Sequence, residues 1–154
     1  MFDVRTVDIV NVNVLFRKFE FSILATPFIL RWQTMGTTVA GFGSPPSAGL
    51  DRLYTPYSIT IDSFDALYVA DYTNDRVQKF SAGSLIGTTV AGQTNGAPGS
   101  SASDLHFPTG VLVDSSGNIY VSDSFNHRVQ LFPNGSSLGI TVAGNGKEIR
   151  QEKE

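Results

Sequence analysis

Apolar residues in this chain fall in short runs, separated by clusters of Gly, Ser, Pro, Asn and Asp, and no stretch repeats at helical spacing. Ser58 to Asp62 and Gly110 to Asp114 are nearly continuous apolar residues, the pattern of a strand buried on both faces. Ser115-Ser116-Gly117-Asn118 then reads as a turn of residues that tolerate positive φ. Ile119 to Ser122 reads as a second strand, and Asp123 to His127 as a polar loop. Arg128 to Phe132 alternates, with Val129 and Leu131 on one face and Arg128, Gln130 and Phe132 on the other. Pro133-Asn134-Gly135 turns the chain, and Ile140 to Ala143 makes a fourth strand.

This unit occurs twice. Residues 53–92 align with 105–144 without a gap at an offset of 52, with 19 of 40 positions identical. Many of the differing positions keep apolar character, such as Ile59 with Val111 and Leu67 with Ile119. A third, partial copy lies upstream: Gly36-Thr37-Thr38-Val39-Ala40-Gly41 equals residues 87–92 and returns as Gly139 to Gly144. Four short strands per unit of about fifty residues is the pattern of a β-propeller blade. The expected organisation is therefore all-β, a partial β-propeller of four-stranded antiparallel blades over residues 36–144. Its full blades lie at 53–92 and 105–144, each preceded by a Gly/Ser/Pro loop. Residues 145–154 form a charged C-terminal tail that frays or makes a short helix.

Residues 1–35 are divergent. Val10, Val12, Val14 and Phe16 alternate as a strand would, Phe19, Phe21 and Ile23 continue the alternation, and Phe28 to Trp32 leads into the Gly36 motif. A degenerate blade is one reading, and unrelated sequence is the other. Propellers typically have about four to eight blades, and at roughly 52 residues each even four exceed this chain of 154 residues. An unclosed array leaves an apolar face bare at each end. The segment is thus expected to belong to a longer propeller or to self-associate through its open blade faces.

The two copies resemble NHL repeats. The features are Pro108-Thr109-Gly110-Val111-Leu112-Val113-Asp114, Gly117-Asn118-Ile119-Tyr120-Val121-Ser122-Asp123 and Asn126-His127-Arg128-Val129-Gln130-Leu131-Phe132. The first copy departs at Ser58, where the family tends to have Gly, and at Asp65-Ala66, where it tends to have Gly-Asn. The resemblance implies four-stranded blades in a propeller. It also implies mostly non-catalytic roles in binding protein, or RNA in some members, often within larger proteins such as tripartite-motif ubiquitin ligases.

Charge and composition narrow the functions. Residues 36–144 carry four cationic side chains against eight aspartates, a net of −4. A surface for phosphate backbones needs clustered Lys and Arg, so nucleic acid is not the expected partner. No cysteine is present, which excludes disulfides and Cys-based zinc or nucleophile chemistry in this chain. The N-terminal residues lack a secretory signal pattern. The most apolar run, Phe21 to Leu30, is too short to span a bilayer. The compartment stays open.

Three sets of residues are candidates for more than scaffold. Asp71, Asn74 and Arg76, and their repeats Asp123, Asn126 and Arg128, flank the loop between the second and third strands. A bidentate Arg–carboxylate bond with an Asn capping the loop backbone makes a structural clamp in each blade, and a ring of ligand-binding groups is the alternative. Tyr57, Tyr72 and Phe125 sit beside loops, either as a contact surface or packed at the blade edge. His106 and His127 correspond to Tyr54 and Asp75, so neither belongs to a repeated ring, and exposed loop histidines are expected. A catalytic zinc usually takes three protein ligands, and no nucleophile motif or phosphate-binding loop is present. The expectation is no catalytic, cofactor or metal site, and a non-enzymatic protein-interaction scaffold within a larger protein, its partner unidentified. Alternatives are a fragment of a metal-dependent lyase or hydrolase propeller, and the substrate- or RNA-binding propeller of a tripartite-motif-like ligase.

Overall fold

A computed structural model describes residues 7–10, 13–16, 36–41 and 46–146. The described residues form three antiparallel sheets in sequence order. The first contains β1 (Val7–Val10), β2 (Asn13–Phe16) and β3 (Thr37–Thr38), with β2 in the centre. The second is a meander of β4 (Pro56–Ile61), β5 (Leu67–Asp71), β6 (Arg76–Phe80) and β7 (Thr88–Gly92). The third repeats it with β8 (Pro108–Val113), β9 (Ile119–Asp123), β10 (Arg128–Phe132) and β11 (Ile140–Gly144). The two meanders are blades of a partial β-propeller, stacked with β8 of the second against β4 and β5 of the first.

Local chemistry sets the strand ends the same way in both blades. Pro56 and Pro108 open the edge strands and lack an N–H, and the ladder slips one residue just after each. After the first strand, Asp62 Oδ1 accepts from the N–H groups of Phe64 and Ala66, both at 2.9 Å. Asp114 Oδ1 accepts from Ser116 N and Asn118 N at the same distance. Gly117 takes φ +82°, and Asp65 at the matching place takes φ +60°. The departure from Gly-Asn in the first copy thus preserves the turn's backbone. Its lost Asn118-to-Asp114 bond is replaced by Tyr68 Oη donating to Asp62 Oδ2 at 3.1 Å.

The core lies between sheets, and its two parts are copies of one interface. Leu105, Val111, Ile119, Val121 and Phe132 of the second blade pack on Tyr68, Ala70, Val77 and Ala91 of the first. One repeat earlier, Leu53, Leu67, Val69 and Phe80 pack on Val39 and Ala40. The three Val-Ala-Gly segments end in Gly41, Gly92 and Gly144, all near φ +75° to +81°. At Gly92 a Cβ would stand 2.4 Å from the Asp75 carbonyl oxygen, so the close approach of strand and loop demands glycine.

Two expectations need correction. The first strand of each blade is not buried on both faces: Leu112 is 58% exposed, and only Pro56, Pro108 and Val111 of β4 and β8 are buried. These strands lie at a sheet edge, and no described residue covers the outer face of the second blade. Among the strands of the two blades, the one with every residue buried is β5, sandwiched between β4 and β6 and between neighbouring sheets. The alternating stretch from Val10 to Phe16 is also not one strand, because Val10 ends β1 and pairs with Asn13 at the start of β2. The continuations at Phe19 to Ile23 and Phe28 to Trp32, and the tail from Lys147, lie outside the described residues.

Candidate functional site

At one end of each blade, the loop between the second and third strands makes a single 3-10 turn, Tyr72–Asn74 or Ser124–Asn126. It closes on a left-handed residue, Asp75 or His127, both at φ +51°, and Asp and His tolerate that region better than most side chains. The turn brings Asp71, Asn74 and Arg76 together. Asp71 Oδ2 accepts from Asn74 Nδ2 at 2.8 Å and Arg76 Nε at 3.0 Å, while Oδ1 accepts from Tyr54 N at 2.7 Å. In the second blade Asp123 accepts from Asn126, from Arg128 Nε at 2.7 Å and from His106 N at 2.8 Å.

The Arg–Asp bond is not bidentate as the sequence suggested, because the other carboxylate oxygen holds the chain entering the blade. The free ends of the guanidinium gather the preceding Gly/Ser/Pro loop instead, and Arg76 also reaches the start of the loop that follows its blade. Arg76 donates to the carbonyls of Ala48 (2.6 Å), Gly49 (2.9 Å), Arg52 (3.2 Å) and Thr94 (2.9 Å). Arg128 donates to Ser100 (3.0 Å), Ser101 (2.8 Å) and Asp104 (3.1 Å). The asparagines likewise reach beyond their own loop, Asn74 to Ser47 O and Asn126 to Gly99 O. Burial pushes the Asp71 carboxyl above the usual carboxylate range, against the donors from Tyr54, Asn74 and Arg76.

Beside the clamps runs a continuous strip of aromatic rings. Tyr57 lies 5.6 Å from Tyr72 between centroids, and Tyr72 stacks on Phe107 at 4.8 Å with planes 20° apart. Phe107 contacts His106 at 4.7 Å, and His106 contacts Phe125 at 4.2 Å. Phe125 also meets Phe107 edge-on at 5.8 Å. Tyr57 and Phe125 are 61% and 60% exposed, and the rings between them are half-buried. The strip crosses the boundary between blades. Beneath it, Asp75 Oδ1 accepts from Phe107 N at 2.7 Å and ties the first blade's loop to the entrance of the second. Burial pushes the Asp75 carboxyl up, and His106 nearby opposes that.

The three sequence-predicted aromatics thus join one surface, with Phe107 and His106 as the members that sequence reading missed. His106 is a packed member of the strip, not an exposed loop histidine, while His127 is exposed. A signal for the strip exists in the alignment of the two copies. Clamp residues recur at offset 52, whereas the strip's residues do not. Tyr57 and Tyr72 correspond to Thr109 and Ser124, and Phe107 and Phe125 correspond to Thr55 and Thr73. Each replaced aromatic pair is a hydrogen-bonded hydroxyl pair, Thr55 with Thr73 and Thr109 with Ser124. Rings therefore occupy only the sides that face the blade boundary, and hydroxyls flank them.

Among the described residues, no group of three or more His, Asp or Glu side chains comes together as a metal site would require. No described helix is long and apolar enough to cross a membrane. Residues 105–132 match the NHL repeat family. The second blade is therefore an NHL repeat, and the first is a copy of the same unit. No curated protein matches the chain. Among solved structures, the chain is similar to a candidate 6-phosphogluconolactonase from Bacteroides uniformis, at 14% identity and a TM-score of 0.42. That match covers 89% of this chain and 40% of the other, so this chain spans well under half of its length.

Proposed function

We propose that this chain is a non-enzymatic protein-interaction segment of a larger propeller, and that the aromatic strip from Tyr57 to Phe125 is its contact surface. The observation that carries this reading is the contrast between the copies. Residues that hold the blade recur, and the aromatics do not, yet they converge across the boundary with about 60% of the two end rings exposed. Aromatic side chains are enriched in interface cores, where they bury much area at little cost in conformational entropy. The clamps support the reading as scaffold, since their polar groups are consumed by backbone carbonyls and N–H groups. Self-association through the bare face of the second blade is a separate contact of the same segment.

The repeat supplies variants that suit the blade: Tyr57→Thr with Tyr72→Ser, and Phe107→Thr with Phe125→Thr. A display selection for peptide or protein binders against the intact chain should yield binders that these variants lose while their unfolding midpoint stays close to the parent's. Binders indifferent to both pairs would remove the strip from the reading. Turnover of lactone or ester substrates that copurifies with the chain through successive columns would overturn the non-enzymatic role.

A further inference from the structure

We infer that Asn134 is a site of self-modification, where the folded chain converts an asparagine to aspartate and isoaspartate and so loosens one end of the second blade. The reaction needs only water. The backbone nitrogen of Gly135 attacks Asn134 Cγ, and a cyclic imide closes. The Cγ–Nδ2 bond breaks, and that nitrogen leaves as ammonia with the proton from the Gly135 N–H. Water then opens the ring at one carbonyl or the other. An Asn-Gly pair suits this step because glycine places no Cβ in the path of the attacking nitrogen.

The turn at Asn134 leaves the nucleophile available. Ser136 N donates to Pro133 O at 2.8 Å and closes the turn, and Asn134 and Gly135 at its tip are exposed. Gly135 N makes no hydrogen bond among the described residues, and a Cβ on this glycine would meet nothing within 4 Å. The Asn134 amide is held by one solvent-exposed bond, from Nδ2 to Ser116 O at 3.1 Å. The Asn95-Gly96 pair is the opposite case. Gly96 N is committed to Gln93 O at 3.0 Å, and Asn95 Oδ1 accepts from Ala97 N at 3.1 Å. A Cβ on Gly96 would stand 3.2 Å from both Ala48 Cβ and Asn74 O, so the backbone there is packed as well. In the third pair, Asn145-Gly146 just after β11, Asn145 is engaged in an interaction of its own.

The turn itself does not require asparagine. The first blade has Ala82 in place of Asn134 and Ala66 in place of Asn118, yet Ser84 N donates to Ser81 O at 2.9 Å and Gly83 shares φ +76° with Gly135. The second blade uses its asparagines to tie two turns together. Asn134 N donates to Asn118 Oδ1 at 3.1 Å, and Asn118 Nδ2 donates to Asp114 Oδ2 at 2.8 Å. Aspartate at 134 sets an acceptor against Ser116 O and adds a negative charge to a network that already ends on Asp114. Isoaspartate also lengthens the backbone inside the turn. These turns join β8 to β9 and β10 to β11, at the opposite end of the blade from the clamp loop between β9 and β10.

Ageing the full chain in neutral buffer, with peptide mass spectrometry to follow amide loss at each asparagine, tests this beside a sample aged in guanidinium chloride. In the folded chain Asn134 should convert about fivefold or more faster than Asn95, the rate equivalent of freeing one N–H from a hydrogen bond of about 1 kcal/mol. In guanidinium chloride, where neither turn persists, the two rates should converge. Asn134→Asp should unfold at lower denaturant than Asn134→Ala, which adopts the residue of the first blade's turn. Asn95 converting as fast as Asn134 in the folded chain, Asn134 staying intact there while it converts in guanidinium chloride, or equal midpoints for the two variants would overturn the inference.

Discussion

Replacing Arg76 by Ala removes five hydrogen bonds from a side chain that is 0% exposed. The Asp71 carboxylate stays buried with donors only from Tyr54 N and Asn74, and the carbonyls of Ala48, Gly49, Arg52 and Thr94 lose their common partner. Removing one member of a buried ion pair costs about 3–5 kcal/mol, because the other charge is left uncompensated. A domain of this size holds roughly 5–15 kcal/mol in all, so Arg76→Ala should consume much of the margin. Arg128 occupies the matching place with four hydrogen bonds and a side chain 10% exposed. Water reaches its pair, and Arg128→Ala should cost about 1–3 kcal/mol. Urea unfolding followed by far-ultraviolet circular dichroism measures both. Adding Asp71→Asn to Arg76→Ala should cost less than the sum of the single changes, because the second change removes the orphaned charge. Arg76→Lys should recover less than half of the loss, since an ammonium lacks the planar fork that reaches several carbonyls at once. The reasoning fails if Arg76→Ala costs under about 1 kcal/mol, or if the two arginines match within about 0.5 kcal/mol.

Gly92→Ala should destabilise by more than about 2 kcal/mol, since its Cβ would meet the Asp75 carbonyl oxygen and the residue sits at φ +81°. Gly83→Ala, at φ +76° with nothing within 4 Å, should cost only the left-handed backbone penalty of about 1–2 kcal/mol, and equal midpoint shifts for the two would refute the close-approach account. The Asp104 carboxyl is held below the usual range, first by the Ser101 hydroxyl and then by the Gln93 amide. Its folded pKa lies under the unfolded one, so its stabilisation is present above about pH 4 and is lost as pH falls through the folded value. Asp104→Asn should therefore flatten the acid limb of a stability–pH curve, and an acid limb as steep as the parent's would argue against this. Val129 holds the place in the second blade that fully buried Val77 holds in the first, and its sheet face is half-exposed. Val129→Glu should lower both the apparent mass by light scattering and the binding of a hydrophobic dye. A parent chain that is monomeric and dye-free at all concentrations would show that this face does not associate.

Much of this protein is legible in one dimension. The 52-residue offset, the short apolar runs and the turn residues between them give two four-stranded units, because backbone hydrogen bonding along a strand and the chemistry of a turn are local. The Asp-Asn-Arg spacing also announces its triplet, since a 3-10 turn of three residues suffices to bring the three side chains together. Burial is different. β4 and β8 look like doubly buried strands, yet their exposure follows from lying at a sheet edge and, for β8, from the uncovered face of its blade; β5 is the strand enclosed on all sides. The number of layers on a strand is a property of what stacks against it, and its own residues do not record that. The guanidinium's carbonyl partners lie 18 to 28 residues away in loops without a motif of their own. The aromatic strip draws on positions 57, 72, 106, 107 and 125, which share neither a local spacing nor the repeat period. The sequence placed rings and hydroxyls at alternating repeat positions. Only the stacking of one blade on the next put the rings on the same side of a shared boundary, because contact between unlike repeat positions is decided by the offset between blades rather than by the order of residues within them.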